Sequence, residues 1–279
     1  MSVDAARALG LVVETVERGG SAVTVTVVSA SAAGRRLVGL RQPDGRLEPY
    51  GSLGSPWLDE EATALVRTLL DDSRSRDGLR TLTDGPREVE VFVEVRRPVP
   101  DLVIVGAGHI ARPMSRLGSM LGFRVWVLDD RPEFATRERF PEATFLIRAS
   151  FDDPFRDVPV HAGSHVLLVT RGHRFDYDCL LRVLALDPPP AYIGMIGSRR
   201  RVRATFARLL EENVPHHRLE EVHAPVGLDI GAETPEEIAV AVAAELVATR
   251  RGGTGAPLRD VERVTDRFFH TSAEPEEDP

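Results

Sequence analysis

Cysteine is nearly missing from this 279-residue chain, where Cys179 stands alone. A single thiol excludes an internal disulfide framework and any Cys-rich zinc or iron–sulfur site. No apolar run is long enough to span a bilayer, and no charged-then-apolar signal peptide follows Met1. An excess of basic residues is lacking too. With a net charge of -8, the chain does not suit a general nucleic-acid binder, which needs clustered cations to neutralise phosphates. Internal repeats are also absent. These gaps lead to the expectation of a soluble protein of the reducing cytoplasm, engaging neither nucleic acid nor membrane.

What is present divides the chain into three. Residues 1–98 read as a small α+β unit. Strands are expected at Leu11–Glu17, Ala22–Val28 and Arg36–Arg41, and Glu88–Arg96 alternates in the same way. A helix is expected after Ser55, a candidate N-cap, with Pro56 at its first position and Asp59, Glu60 and Glu61 in its first turn. Residues 101–250 carry short apolar runs at Leu102–Val105, Arg124–Leu128, Thr144–Ile147, His165–Val169 and Tyr192–Ile196. Helical segments lie between most of them, at Ile110–Leu121, Tyr177–Leu186 and Arg199–Glu211. Alternation of buried strands and helices predicts an α/β fold, a Rossmann-like doubly wound parallel sheet, beside the smaller N-terminal α+β domain. Thr234 and Pro235 open a last helix. Residues 251–279 are Gly-containing and then acidic, and are expected to be disordered.

Chemistry concentrates at the strand-to-helix turns. Gly106-Ala107-Gly108-His109-Ile110-Ala111 forms G-x-G-x-x-A directly after a strand, the context of a dinucleotide fingerprint. Gly106 permits the tight turn, Gly108 lets the backbone approach a diphosphate, and Ala111 keeps the helix close to the sheet. An acid about twenty residues further on is expected to meet ribose hydroxyls, and Asp129 or Asp130 fills that place. The alternative is a turn that serves packing alone. Gly197-Ser198-Arg199-Arg200-Arg201 offers an anion site at another helix start, against the plainer reading of a solvated basic turn. His109, His173 and His223 stand at or near strand ends, where they could converge. No pair of them has helix-face metal spacing, so no metal site is expected. Cys179 sits within a helical segment beside Asp176 and Asp178, which raise a thiol's pKa, so it reads as a core residue rather than a nucleophile.

Several longer strings resemble the XdhC/CoxI family, the accessory proteins of xanthine dehydrogenase and carbon monoxide dehydrogenase. They are Gly106-Ala107-Gly108-His109, Leu128-Asp129-Asp130-Arg131-Pro132-Glu133-Phe134-Ala135, Thr170-Arg171-Gly172-His173, the run from Tyr192 to Arg200, and the run from His223 to Ala239. The likeness extends over about 101–248. It implies a chaperone without turnover of its own. Such a protein binds molybdenum cofactor, as molybdopterin or its dinucleotide form, assists sulfuration by a cysteine desulfurase, and delivers the product to an apo molybdenum hydroxylase. A homodimer is compatible with it. The implied cofactor-binding residues are Gly106, Gly108, His109, Asp129, Asp130, Arg131, His173, Gly197, Ser198, Arg199 and Arg200. Many family members carry Gly-Ser-x-Ser-Gly-Gly-Cys before the N-terminal helix, whereas this chain reads Gly51-Ser52-Leu53-Gly54-Ser55-Pro56-Trp57. The thiol is replaced by Trp57, an indole expected to pack at the helix start. Two other readings remain: an NAD(P)-dependent oxidoreductase, for which no Lys/Tyr or His/Asp catalytic pattern stands out, and a scaffold that no longer binds a ligand.

Overall fold

The computed structural model describes residues 3–29, 32–72 and 74–262, except the side chains of His173 and Glu262. The chain opens with α1 (Ala5–Glu17), then β1 (Ser21–Val27), β2 (Arg36–Arg41), β3 (Leu47–Gly51), α2 (Pro56–Asp71), β4 (Gly78–Asp84) and β5 (Arg87–Arg96). Here the expected strand at Leu11–Glu17 is corrected to helix. Asp4 caps α1 by accepting the Arg7 N–H at 2.8 Å. Ala8, Val12 and Thr15 recur at helical spacing on its buried face. The β-branched Val12 and Val13 favour a strand locally, but the cap and the buried stripe outweigh that preference. The strands form one antiparallel sheet ordered β3-β2-β1-β5-β4. Alternate residues of β1 split between its faces: Ala22 packs with α1, while Val23, Val25 and Val27 pack with α2.

The second half runs β6 (Asp101–Val105), α3 (Ala111–Met120), β7 (Arg124–Asp129), β8 (Phe145–Arg148), β9 (Ser164–Leu168), α4 (His173–Leu184), β10 (Tyr192–Met195), α5 (Arg199–Glu211), α6 (His216–Glu220), β11 (Val222–His223), α7 (Pro235–Arg251) and α8 (Leu258–Glu262). Its six strands are ordered β11-β10-β9-β6-β7-β8, and neighbouring strands pair in parallel. Counted within this sheet, the order is 6-5-4-1-2-3, that of a doubly wound dinucleotide fold. Every residue of β6 and β9 is buried. Leu102 and Ile104 face a core shared with α3 and α7, and Val103 and Val105 face the core of α4 and α5. The chain reverses direction across the sheet between β6 and β9, so a crevice is placed at their C-terminal ends. α7 starts as the sequence predicts, with a capping box between Thr234 and Glu237, and ends on Gly252 at φ 69°. Of the tail expected to be disordered, residues 263–279 lie outside the described residues, and α8 stands near its beginning.

Candidate functional site

Four strand ends meet at the C-terminal edge of the parallel sheet, joined by specific side-chain contacts. The first is the turn from β6 into α3. Gly106 has φ 108°, and a Cβ there would lie 2.7 Å from the Val169 carbonyl oxygen, so no other residue fits. Gly108 is different. A Cβ on it would meet nothing within 4 Å, so its side faces open space. Among the described residues, the N–H groups of Gly108 and His109 have no intramolecular acceptor, and His109 is exposed. Two backbone donors beside an uncrowded glycine at a helix entrance are the groups an anion would need there.

The second strand end carries Asp129. Its carboxylate is only 1% exposed. It accepts the Ala107 N–H at 2.8 Å and the Arg131 N–H at 3.0 Å, and it pairs with the Arg131 guanidinium at 2.9 and 3.1 Å. Asp129 therefore braces the glycine turn from the end of β7. Asp130 is also committed, pairing with Arg171 through two hydrogen bonds of 2.6 and 2.7 Å. That pairing holds the Asp130 carboxyl below its ordinary pKa, and raises Arg171. It also straps the end of β9 to the end of β7 across the glycine turn. Arg131 lies 3.5 Å over the Phe134 ring, and Arg171 4.4 Å over that of Phe175.

The third and fourth ends are joined by Arg201. Ser198 caps α5, accepting the Arg201 N–H at 3.3 Å. The Arg201 side chain turns inward to the buried Asp176 at 2.5 Å and to the Thr170 carbonyl at 3.2 Å. Thr170 donates its hydroxyl to Asp176 at 2.6 Å. Of the three arginines at this turn, Arg201 is thus a structural latch. Arg199 and Arg200 are exposed and make no ion pair among the described residues, so their charge is available at the edge.

The three histidines named from the sequence stand on different elements, with His109 in the turn before α3, His173 on α4 and His223 on β11. His173 opens α4, and its side chain lies outside the described residues. His223 sits 2.7 Å from Glu245 and against the Tyr192 ring, a structural post beneath α7. Glu245 also accepts the Tyr192 hydroxyl at 2.7 Å and the Gly227 N–H at 2.6 Å. Cys179 is fully buried, and burial, then Asp176 and Asp178, push its thiol upward. In the N-terminal loop, Ser55 stands at the N-cap but makes no side-chain cap bond. Asp59 organises that loop instead, accepting the Ser52 hydroxyl at 2.7 Å and the Leu53 N–H at 2.6 Å. Trp57 packs against the N-terminal core. Sequence reasoning missed the bracing roles of Asp129 and Arg201, because each depends on partners more than twenty residues away.

The XdhC Rossmann domain matches residues 102–246, more than half of the chain. The chain belongs to the XdhC family. An uncharacterized Escherichia coli K12 protein, YqeB, is 34% identical over 168 residues, which are 60% of this chain and 30% of that protein. A probable xanthine dehydrogenase subunit from Bacillus subtilis 168 is 35% identical over 162 residues, 58% of this chain and 46% of that one. The matched part is thus less than half the length of either curated relative. A solved Bacillus halodurans structure, described as a xanthine dehydrogenase, has a TM-score of 0.64 at 24% identity, covering 96% of this chain and 71% of that one. At that identity the likeness speaks for the fold, and it extends through the N-terminal sheet. No helix among the described residues is long and apolar enough to cross a membrane.

Proposed function

We propose that this XdhC family member is an accessory protein that binds molybdenum cofactor and assists its maturation and insertion into a molybdenum hydroxylase such as xanthine dehydrogenase. The observation that carries the reading is the C-terminal edge of the family's Rossmann domain. There the open Gly108 turn and the uncommitted Arg199 and Arg200 offer donors and charge to a phosphate. The cofactor is cargo, and what the residues fit is its phosphate or dinucleotide end. The chain holds no thiol at this edge, since Cys179 is buried within α4. Its own residues therefore bind and orient the anionic handle, while sulfur chemistry belongs to a partner such as a cysteine desulfurase. The name of the Bacillus subtilis relative supports a xanthine dehydrogenase as the client.

An NAD(P)-dependent oxidoreductase is less well supported. Such enzymes read the adenosine ribose with a carboxylate at the end of the second strand, and here Asp129 is buried and Asp130 is paired with Arg171. The test is to produce a molybdenum hydroxylase in cells with and without this protein, and with its Arg199→Glu/Arg200→Glu variant. The expected result is hydroxylase present as protein in all three, with active, sulfurated cofactor restored by the wild type and not by the variant. Full cofactor loading without the protein would refute the proposal. So would robust hydride transfer from NAD(P)H to carbonyl substrates by the purified protein.

A further inference from the structure

A cavity of about 820 Å³ lies at the opposite end of the parallel sheet, where the two sheets of the molecule adjoin. It borders the N-terminal ends of the strands, at Pro100 before β6, Gly163 before β9 and Ala191 before β10. Six arginines line it. Arg41, Arg76, Arg96 and Arg97 come from the N-terminal unit, and Arg250 and Arg251 from the end of α7. The matching lining carboxylate is Asp77, which is spent on Arg96 at 2.8 Å. Arg41 is balanced by Asp71 outside the cavity.

Arg97 and Arg76 bond to carbonyls instead of carboxylates. Arg97 gives its N–H groups to the Leu69, Asp72 and Ser75 carbonyls, and Arg76 to those of Arg74 and Ser75. Carbonyl oxygens satisfy the donors but leave the positive charge standing. Burial holds the Arg97 pKa below its ordinary value, and the charges of Arg76, Arg41 and Arg251 press it the same way against the opposing pull of Asp72. Asp101, a buried carboxylate at this end, is occupied by Arg124, Trp126 and His161. His165 on the wall is held neutral by burial, with its pKa brought down to about 4. Cations clustered in this way repel one another, and an anion among Arg76, Arg97 and Arg251 would relieve that repulsion.

We propose that this junction cavity is a second anion site that takes a phosphorylated small molecule of nucleotide size, separate from the glycine-turn crevice. The volume falls within the range of small-molecule sites, roughly 300–1,000 Å³. The walls combine the exposed guanidiniums of Arg76 and Arg251 for the phosphate, with the charge of Arg97 behind them, and apolar Val95, Pro98, Ala162 and Ala191 for a flat heterocycle. The concave setting between two sheets favours a small molecule over a macromolecular surface.

Calorimetric titration of the full chain with adenosine monophosphate and with inorganic phosphate tests the proposal. Arg76→Glu/Arg251→Glu reverses two exposed charges at the junction, and Arg251→Gln is a milder variant should the first fold poorly. Arg199→Glu/Arg200→Glu alters the far edge. The expected result is a site that binds the nucleotide at least tenfold more tightly than phosphate. That site weakens tenfold or more in the junction double variant, weakens in Arg251→Gln, and survives in the far-edge variant. Equal affinity for both probes would overturn the proposal, as would insensitivity to the junction variants or loss of all nucleotide binding in the far-edge variant.

Discussion

Gly106 and Gly108 lie two residues apart in one turn, yet alanine should act on them in opposite ways. At Gly106, φ 108° imposes on any L side chain a backbone penalty of about 1–2 kcal/mol. The added Cβ would also stand 2.7 Å from the Val169 carbonyl oxygen, a backbone atom inside the sheet that cannot swing away. The strain and the clash together come to about 3 kcal/mol, or a melting temperature lower by roughly 6–12 °C at the scaling of domains this large. At Gly108 the backbone needs no positive φ, and the Cβ meets nothing within 4 Å. Alanine there restricts the unfolded chain and should leave stability unchanged or raised by about 0.4–1 kcal/mol. The same methyl group occupies the space a phosphate must enter to reach the backbone donors. Binding of a diphosphate probe such as ADP-ribose should therefore fall at least tenfold, about 1.4 kcal/mol. Scanning calorimetry and isothermal titration on the two variants separate these effects. The reasoning is refuted if Gly108→Ala binds ADP-ribose as the wild type does, or if it melts as low as Gly106→Ala.

Two further outcomes concern stability. Arg201→Ala removes the cation that balances the buried Asp176 carboxylate and should cost about 3–5 kcal/mol, read as a lower midpoint in urea unfolding; an unchanged midpoint would mean the latch contributes nothing. For His165 the folded pKa of about 4 lies below the unfolded value of 6.5, so the unfolded chain binds more protons between these values. Stability from this group is complete above pH 6.5 and is lost as pH falls toward 4, by about 3 kcal/mol; His165→Gln should flatten that part of the pH–stability curve, and an unaltered slope would contradict it.

The Rossmann half was readable because its physics is local. A parallel strand buried on both faces has to be an apolar run, and each run here is followed by a turn whose glycines, caps and prolines are short-range signals. Alternation predicted the doubly wound class, while the order of the strands is set by their pairing in the fold. In the N-terminal half, β3 and β4 escaped notice because they are edge strands with mostly exposed or half-buried residues, and β3 carries Pro49. At the candidate site, Gly106 and Ser198 could be placed from sequence, since a turn and a cap act within a few residues. The inward turn of Arg201 could not, because Arg199, Arg200 and Arg201 are chemically identical in the chain. Only helical phase sets which one meets Asp176. The junction cavity leaves no linear trace at all, with Arg41 and Arg251 brought together by the packing of two sheets.

Trp57 stands where the resemblance to the family implies a cysteine, and the arrangement gives that difference a physical meaning. A thiolate would be a soft ligand suited to a sulfur-bound molybdenum centre, whereas an indole provides one N–H donor and an apolar face. Trp57 uses that face in the N-terminal core, and Asp59 rather than a cysteine-bearing turn fixes the preceding loop. Cys179 cannot substitute, because it is buried on α4 and its thiol is pushed away from ionisation. The groups this chain can give to an anionic cargo are therefore backbone N–H donors and guanidiniums, which recognise phosphate whatever is attached to it. On the proposed function, such a protein holds its cargo by the handle and leaves the metal end exposed to whichever partner supplies sulfur or receives the cofactor.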